Sequence, residues 1–369
     1  MIHPYGRQWF THEACEAFEY NLLMADQLAI AGETNYALRL YKMLASRSKV
    51  AKRRLSLAKR QIKKSLIQSQ RNTVKNNQLI NIAFIDWYVD FNENENFILE
   101  LFGKAEQKVI ISSIEDADLI VSGCYGERLY SDRELMHDKL VLFVSGENIR
   151  PSYNMHDFSL TTEWRSYCGK NVRYPQWYDD LKFEKNKISL SERISKLPVN
   201  IKKRDLPITA IYNNSTPLRE EVIASLKKAF GNDNIHIFGS QRSGYINKME
   251  ILARSSIHVC LENSIGEGYV TEKLHQSLIM GCNSVYWGDK SFKIDFFCEG
   301  KVYNLYEQDN MEDCVEWCSN KLAGEETIKT NWSTFDKTLY KTCPTEDKAI
   351  QHIKKICSLI TNLRTYSRK

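Results

Sequence analysis

No run of about 18 or more apolar residues occurs in the 369-residue sequence, which excludes an evident membrane-spanning helix. The opening Met1-Ile2-His3-Pro4-Tyr5-Gly6-Arg7 lacks the apolar core of a signal peptide. The expected location is therefore cytoplasmic, with peripheral attachment to the inner face of the membrane as a variant. Ten cysteines are scattered without the framework of a small secreted scaffold, and Cys314 and Cys318 have no His or Cys partners at zinc-ligand spacing. Reduced, mostly buried thiols are expected, and no metal centre. Acidic residues are missing altogether from Thr34 through Ile85.

The chain's positive charge collects in and around that acid-free stretch. Residues 1–76 hold 14 Lys/Arg against 5 Asp/Glu, so the formal total of +5 conceals a remainder that is acidic on balance. Arg39, Lys42, Arg47, Lys52, Arg54, Lys59, Lys63 and Arg71 crowd a helical pattern in which Ala51, Leu55, Ala58 and Ile62 make a narrow apolar seam. Such a helix can associate with another copy, lie on an anionic membrane surface, bind nucleic acid, or be a solvated face with one packed edge. No nucleic-acid-binding motif accompanies it, which argues against that partner.

The most informative polar residues lie in residues 257–289, IHVCLENSIGEGYVTEKLHQSLIMGCNSVYWGD. The apolar run at 257–261 suits a strand covered on both faces, and it ends at Glu262-Asn263-Ser264. Gly266 and Gly268 permit a tight loop, Thr271 is a plausible N-cap, and a helix through Leu274, Leu278 and Ile279 stops at Gly281. Residues 283–288 form a second short strand and turn. A helix start followed by Lys273 is a natural anion site, and Glu262, Asn263, Tyr269, Thr271, Glu272 and Lys273 crowd one strand-to-helix junction. Open α/β sheets bind ligands at such junctions.

Strand and helix patterns alternate on either side of a polar linker at 179–205. Strands are expected at 78–88, 107–112, 118–123, 139–144, 208–212 and 235–238, and helices at 12–33, 95–104, 218–230, 245–254, 310–322 and 345–363. This predicts an α/β fold of two Rossmann-like domains facing across a cleft. Its divisions are a basic helical extension at 1–76, domains at 77–185 and 186–345, and a basic C-terminal helix at 346–369. Asp116-Ala117-Asp118 spells a metal-binding pair of aspartates, but Asp118 leads straight into an apolar strand and the pair is rejected as a site. Glu147 follows the strand at 139–144, and on sequence alone it is a loop-capping carboxylate slightly sooner than a catalytic one. Arg219, in a first helical turn, is misplaced against the helix dipole unless an anion sits there.

Glu262-Asn263-Ser264, Tyr269-Val270-Thr271-Glu272-Lys273 and Val285-Tyr286-Trp287-Gly288 together resemble the donor-binding signature of the α-1,3/α-1,4-fucosyltransferase family, above all its soluble bacterial members. One departure is visible: where the family pattern has proline, this chain has Ser284. Gly146-Glu147-Asn148 with Pro151, Asn154 and Asp157-Phe158 resembles the acceptor-side motif, and Arg219 matches an arginine that the family uses on the nucleotide diphosphate. The resemblance covers about residues 78–306. It implies the GT-B arrangement and an inverting transfer of L-fucose from GDP-β-L-fucose to an N-acetylglucosamine or glucose hydroxyl of an oligosaccharide or glycolipid.

In that reading Glu147 is the general base, Arg219, Tyr245, Asn263, Tyr269, Thr271, Glu272 and Lys273 bind the donor, and Asn148 and Asn154 lie on the acceptor side. No cofactor is required, a divalent metal being at most stimulatory. Arg173, Tyr174, Trp177 and Tyr178 are either sugar-stacking groups or an interdomain hinge. The alternatives are a related transferase using another nucleotide sugar, a basic-helix nucleic-acid-binding protein on an α/β scaffold, and an inactive sugar-binding relative.

Overall fold

A computed structural model describes residues 21–22, 24–28, 34–45, 52, 54–56, 79–132, 136, 139–178, 204–239, 247–308, 310–324, 339–341 and 346–366. The chain begins in this description with helical residues at 21–28 and helix α1 (Thr34–Ala45). The first sheet follows: β1 (Leu79–Ile85), helix α2 (Phe97–Lys104), β2 (Lys108–Ile111), β3 (Leu119–Ser122), β4 (Leu140–Val144), β5 (Phe158–Thr161) and β6 (Asn171–Arg173). The second comprises β7 (Leu206–Ile211), α3 (Pro217–Phe230), β8 (Ile235–Phe238), α4 (Lys248–Arg254), β9 (Ser255–Leu261), α5 (Glu272–Ile279), β10 (Asn283–Trp287) and β11 (Val302–Asn304). Helices α6 (Met311–Ala323) and α7 (Glu346–Tyr366) complete it.

Both sheets are parallel throughout, ordered β2-β1-β3-β4-β5-β6 and β11-β10-β9-β7-β8. Each grows in both directions from its first strand, so each has a switch point, between β1 and β3 and between β7 and β9. Helices cover both faces of such sheets, and the strands accordingly read as apolar runs: β3, β4 and β5 are buried at every position. Two switch points with ligand-facing loops form the architecture expected from the sequence. Strands β5, β6 and β11 are additions that the sequence patterns did not show, being only three or four residues long.

The apolar core is continuous between the halves. Trp177, fully buried, stacks near Tyr340 and packs on His275 and Phe296, joining the first sheet's core to α5. Helix α7 places Ile353, Ile356 and Ile360 in that core, and its Glu346 pairs with Lys104 of α2, so the last helix braces the first domain.

Among the described residues of the extension, Arg54 departs from the solvated basic helix that was one of the readings of this stretch. Arg54 is fully buried: its Nε and one terminal nitrogen meet Asp26 at 2.8 and 3.0 Å, and the other terminal nitrogen meets Asp157 at 2.8 Å. Tyr41 of α1 donates to the same Asp26 at 2.7 Å, and the guanidinium lies over Phe158. Asp157 also accepts the Val141 N–H at 2.8 Å, so this member of the expected acceptor-side motif is a structural anchor. A buried cation needs carboxylates on both sides, which is why one arginine of the basic run turns inward. Arg39, Lys42 and Lys52 remain exposed. The rest of the expected seam, Ala51, Ala58 and Ile62, lies outside the described residues, as does most of the helix expected at 12–33.

Candidate active site in the interdomain cleft

Glu262 ends β9 and is buried. The first N–H groups of a helix have no intrahelical acceptor, and Glu262 supplies one: its Oε1 takes the Thr271 N–H at 2.9 Å, while Thr271 Oγ1 donates to both carboxylate oxygens at 2.8–2.9 Å. Thr271 also accepts the Lys273 N–H, as an N-cap should. The Lys273 ammonium lies 3.2 Å from Glu262 Oε2 and 4.0 Å from a Glu272 oxygen. Burial opposes its charge, yet Glu262 and Glu272 outweigh that and hold the ammonium above its usual range.

The anion site expected at this helix start therefore has one of its N–H groups already occupied. The buried Glu262 carboxylate already takes the Thr271 N–H, and Thr271, fully buried, is part of that internal cap. Lys273, with about a fifth of its side chain exposed, reaches the cleft from this junction. Arg219 joins it. Its terminal nitrogens donate to the Asn214 carbonyl at 2.6 Å and to the Leu261 carbonyl and Asn263 Oδ1 at 2.9 Å each. Burial draws this guanidinium below its usual range against the pull of Glu262. Arg219, Lys273, Tyr212, His258 and Cys260 line one cleft at the β7/β9 switch point.

Glu272 is partly buried; burial opposes its charge, but Lys273 and Lys248 hold its carboxyl below the usual range. Its Oε2 is buried with no hydrogen-bond partner among the described residues. Tyr245 lies outside the described residues. Among the described residues no cluster of three or more His, Cys, Asp or Glu side chains has metal-holding geometry. Asp118 is buried and accepts the Asn81 N–H at 2.9 Å, in keeping with a structural role.

Across the cleft, Glu147 lies beyond the carboxyl end of β4. Its Oε1 accepts from Tyr125 at 3.2 Å, and its Oε2 accepts from Tyr269 of the second domain at 3.2 Å. Both phenols are pushed well above their usual range, first by burial and then by neighbouring carboxylates, so they stay protonated donors. The structure thus brings Glu147 and Tyr269 together from opposite halves. Asn148, expected on the acceptor side, donates to Ser264 Oγ and the Ile265 carbonyl at 2.9 Å each. Gly266 permits this: a Cβ there would lie 1.9 Å from the Asn148 amide oxygen. Asn154 is exposed in the turn before β5.

The hinge alternative holds for the aromatic run after β6. Arg173 makes a bidentate pair with Asp295 at 2.8–2.9 Å, donates to the Gly268 carbonyl at 3.1 Å and lies 4.0 Å from the Trp164 ring centroid. Tyr174, Trp177 and Tyr178 are buried. The Ser284 departure also has a physical account: its N–H donates to the Lys301 carbonyl at 2.8 Å, a bond that proline cannot make. Its hydroxyl is bonded to Ser277 at 2.8 Å.

Residues 82–179, which carry Glu147 and Arg173, match the family model for the α-(1,3)-fucosyltransferase FucT N-terminal domain. Over those residues the chain is similar to the N-terminal domain of the α-(1,3)-fucosyltransferases. The curated α-(1,3)-fucosyltransferase FucT of Helicobacter pylori is 24% identical over 269 residues, a match that covers 64% of this chain and 56% of that protein. The chain therefore spans a little over half the length of that curated relative. A crystal structure of an α1,3-fucosyltransferase is similar at a TM-score of 0.54 and 20% identity, covering 77% of this chain and 92% of the other. A crystal structure of an α1,3-fucosyltransferase with GDP-fucose matches at a TM-score of 0.55 and 18% identity, covering 78% and 93%. At these identities the structural likeness speaks to the fold, which is the GT-B arrangement of the fucosyltransferases.

One residue of this site, Tyr125, had no place in the sequence reading, and one that did, Glu262, has a role the sequence did not specify. Glu262 stood in the signature stretch, and its place nine residues before an N-cap threonine was the available signal. Tyr125 carried no local signal, since its contact with Glu147 depends on the packing of two separate loops.

Proposed function

We propose that the protein transfers L-fucose from GDP-β-L-fucose to a sugar hydroxyl with inversion at the anomeric carbon, giving an α-1,3 or α-1,4 fucoside. The observation that carries this reading is the placement of Glu147 against Tyr269, which sets a carboxylate from one half beside the nucleotide-side residues of the other. In the reaction the acceptor oxygen forms a bond to the fucose anomeric carbon while the bond from that carbon to the phosphate oxygen breaks. The acceptor proton passes to Glu147, and GDP leaves with the bonding electrons. A direct displacement of this kind needs one base and no covalent intermediate.

Arg219 and Lys273 meet the charge that develops on the diphosphate, Arg as a planar fork and Lys as a compact charge. Both are already held by internal acceptors, so they meet the leaving group with little reorganisation. Asn263, Tyr269 and Glu272 address hydroxyls of the donor. A divalent metal is at most stimulatory, because two cations of the chain supply the counter-charge. The acceptor is an N-acetylglucosamine or glucose unit of an oligosaccharide or glycolipid. The setting is the cytoplasm or the inner face of the membrane, where the exposed Arg39, Lys42 and Lys52 of the extension suit an anionic surface. Among the described residues no helix is long and apolar enough to cross a membrane.

The test is a calorimetric screen of GDP, GDP-fucose, GDP-mannose and UDP-N-acetylglucosamine, with and without a chelator. Binding confined to GDP and GDP-fucose and unchanged by chelation is expected. Preference for another nucleotide sugar would move the reading to a related transferase.

A further inference from the structure

The end of β1 turns sharply at Asp86, whose φ of +59° lies in the left-handed region that favours glycine. Its carboxylate explains the position. Asp86 Oδ1 and Oδ2 accept the N–H groups of Arg128 and Leu129 at 2.8 and 2.9 Å, and its carbonyl accepts the Tyr125 N–H at 2.8 Å. The loop after β3 is thereby tied down on the end of β1. Gly126 sits so close that a Cβ would meet Asp86 Oδ1 at 2.4 Å. The consequence is an aromatic assembly at the first sheet's switch point. Tyr125 meets Tyr88 edge to face at 5.8 Å, Tyr88 meets Phe91 in the same way at 5.7 Å, and Phe91 stacks on Trp87 at 4.1 Å. Trp87 is fixed in turn, its Nε1 donating to the Val121 carbonyl at 3.0 Å.

The outermost ring of this rigid assembly is left open. Tyr125 is 55% exposed, and its hydroxyl nevertheless reaches the Glu147 carboxylate. An aromatic held on a fixed base beside a carboxylate offers two things to one small ligand: an apolar face for C–H groups and an acceptor for a hydroxyl. A pyranose ring presents both on a single molecule.

We propose that Tyr125 and Tyr88 form the acceptor wall, against which the C–H face of a pyranoside stacks while its attacking hydroxyl replaces the Tyr125 hydroxyl at Glu147 Oε1. This rests on the reading of Glu147 as the base. Tyr125 then fills the place of the acceptor until one arrives, so the carboxylate keeps a hydrogen-bond donor in the empty cleft. Tyr269 holds the other oxygen throughout and fixes the direction of the carboxylate. The transfer itself is unchanged: the incoming hydroxyl gives its proton to Oε1 as its oxygen takes the fucosyl carbon from GDP.

The experiment is retention of the full-length chain on an array of pyranosides with GDP present, for the wild type, Tyr125→Ala and Tyr125→Phe, with GDP affinity of each measured by calorimetry. Wild-type retention should fall about tenfold in Tyr125→Ala, the size of one lost aromatic contact, and Tyr125→Phe should recover most of it. GDP affinity should stay within about twofold across the three. Undiminished retention of Tyr125→Ala overturns the wall, as does a wild type that binds GDP and retains no pyranoside. Loss in Tyr125→Phe equal to that in Tyr125→Ala overturns stacking in favour of the hydroxyl alone. If retention depends on the Tyr125 ring but no GDP or GDP-fucose is bound, the wall stands and the transferase reading falls.

Discussion

The two halves of the cleft are built in opposite ways. The half proposed to bind the donor takes Glu262, Asn263, Tyr269, Glu272 and Lys273 from one short stretch between β9 and α5, and pairs Lys273 there with Glu262. The half proposed to hold the acceptor takes Tyr88 from the end of β1, Tyr125 from the loop after β3 and Glu147 from the loop after β4, and its sheet is clamped by Arg54 from the extension and by α7 from the far end of the chain. A nucleotide diphosphate presents the same charge whichever sugar it carries, so a compact, preformed cluster suits it. Acceptors vary, and a wall assembled from independent loops can change without disturbing the cation pair opposite.

Substitutions can break that division, beginning with its most consequential carboxylate. Glu147→Gln keeps the shape and removes the proposed base; turnover should fall by about 10²–10⁴-fold in steady-state assays, the range for a lost general base. Its GDP affinity should match the wild type. Arg54→Ala leaves Asp26 and Asp157 buried without their cation, and should destabilise the first half by about 3–5 kcal/mol in chemical denaturation. An ordinary exposed basic residue would cost almost nothing, so the two accounts of the extension differ by a wide margin.

On the donor side, Lys273→Ala or Arg219→Ala should lower kcat by about 10²–10³-fold, comparable to removing one donor from an anion-stabilising site. Acceptor KM should hold if the halves are independent. The mildest change is Ser284→Pro. It restores the family's residue at this position but deletes a ladder bond to Lys301, and thermal or denaturant unfolding should show a loss of about 1–3 kcal/mol. A stabilised Ser284→Pro variant would mean that β10 and β11 are held by something other than this bond.

The same contrast decides what the sequence revealed. Parallel strands buried on both faces announce themselves as apolar runs, so β1, β4, β7 and β9 were legible, and the contiguous donor stretch gave its N-cap and its lysine. Very short strands such as β6 and β11 contain too few residues to show a period. Roles set by tertiary partners were hidden. Arg54 looked like its exposed neighbours because nothing local marks the two carboxylates, 28 residues before it and on β5's doorstep, that draw it inward. The bonds of Asn148 to Ser264 and Ile265 had no sequence signal, because those partners are more than 100 positions away. Glu262 was visible as a residue, but its occupation of the helix start follows only from the fold of the loop between β9 and α5.

The central claim is that the base and the donor clamp belong to different halves and act on different substrates. Calorimetric titration of GDP-fucose into the wild type and Glu147→Gln, side by side, tests it most directly. Equal affinity in the two, with turnover lost only in the variant, is the predicted result. Loss of GDP-fucose affinity in a folded Glu147→Gln protein would contradict it, because Glu147 would then be holding the donor.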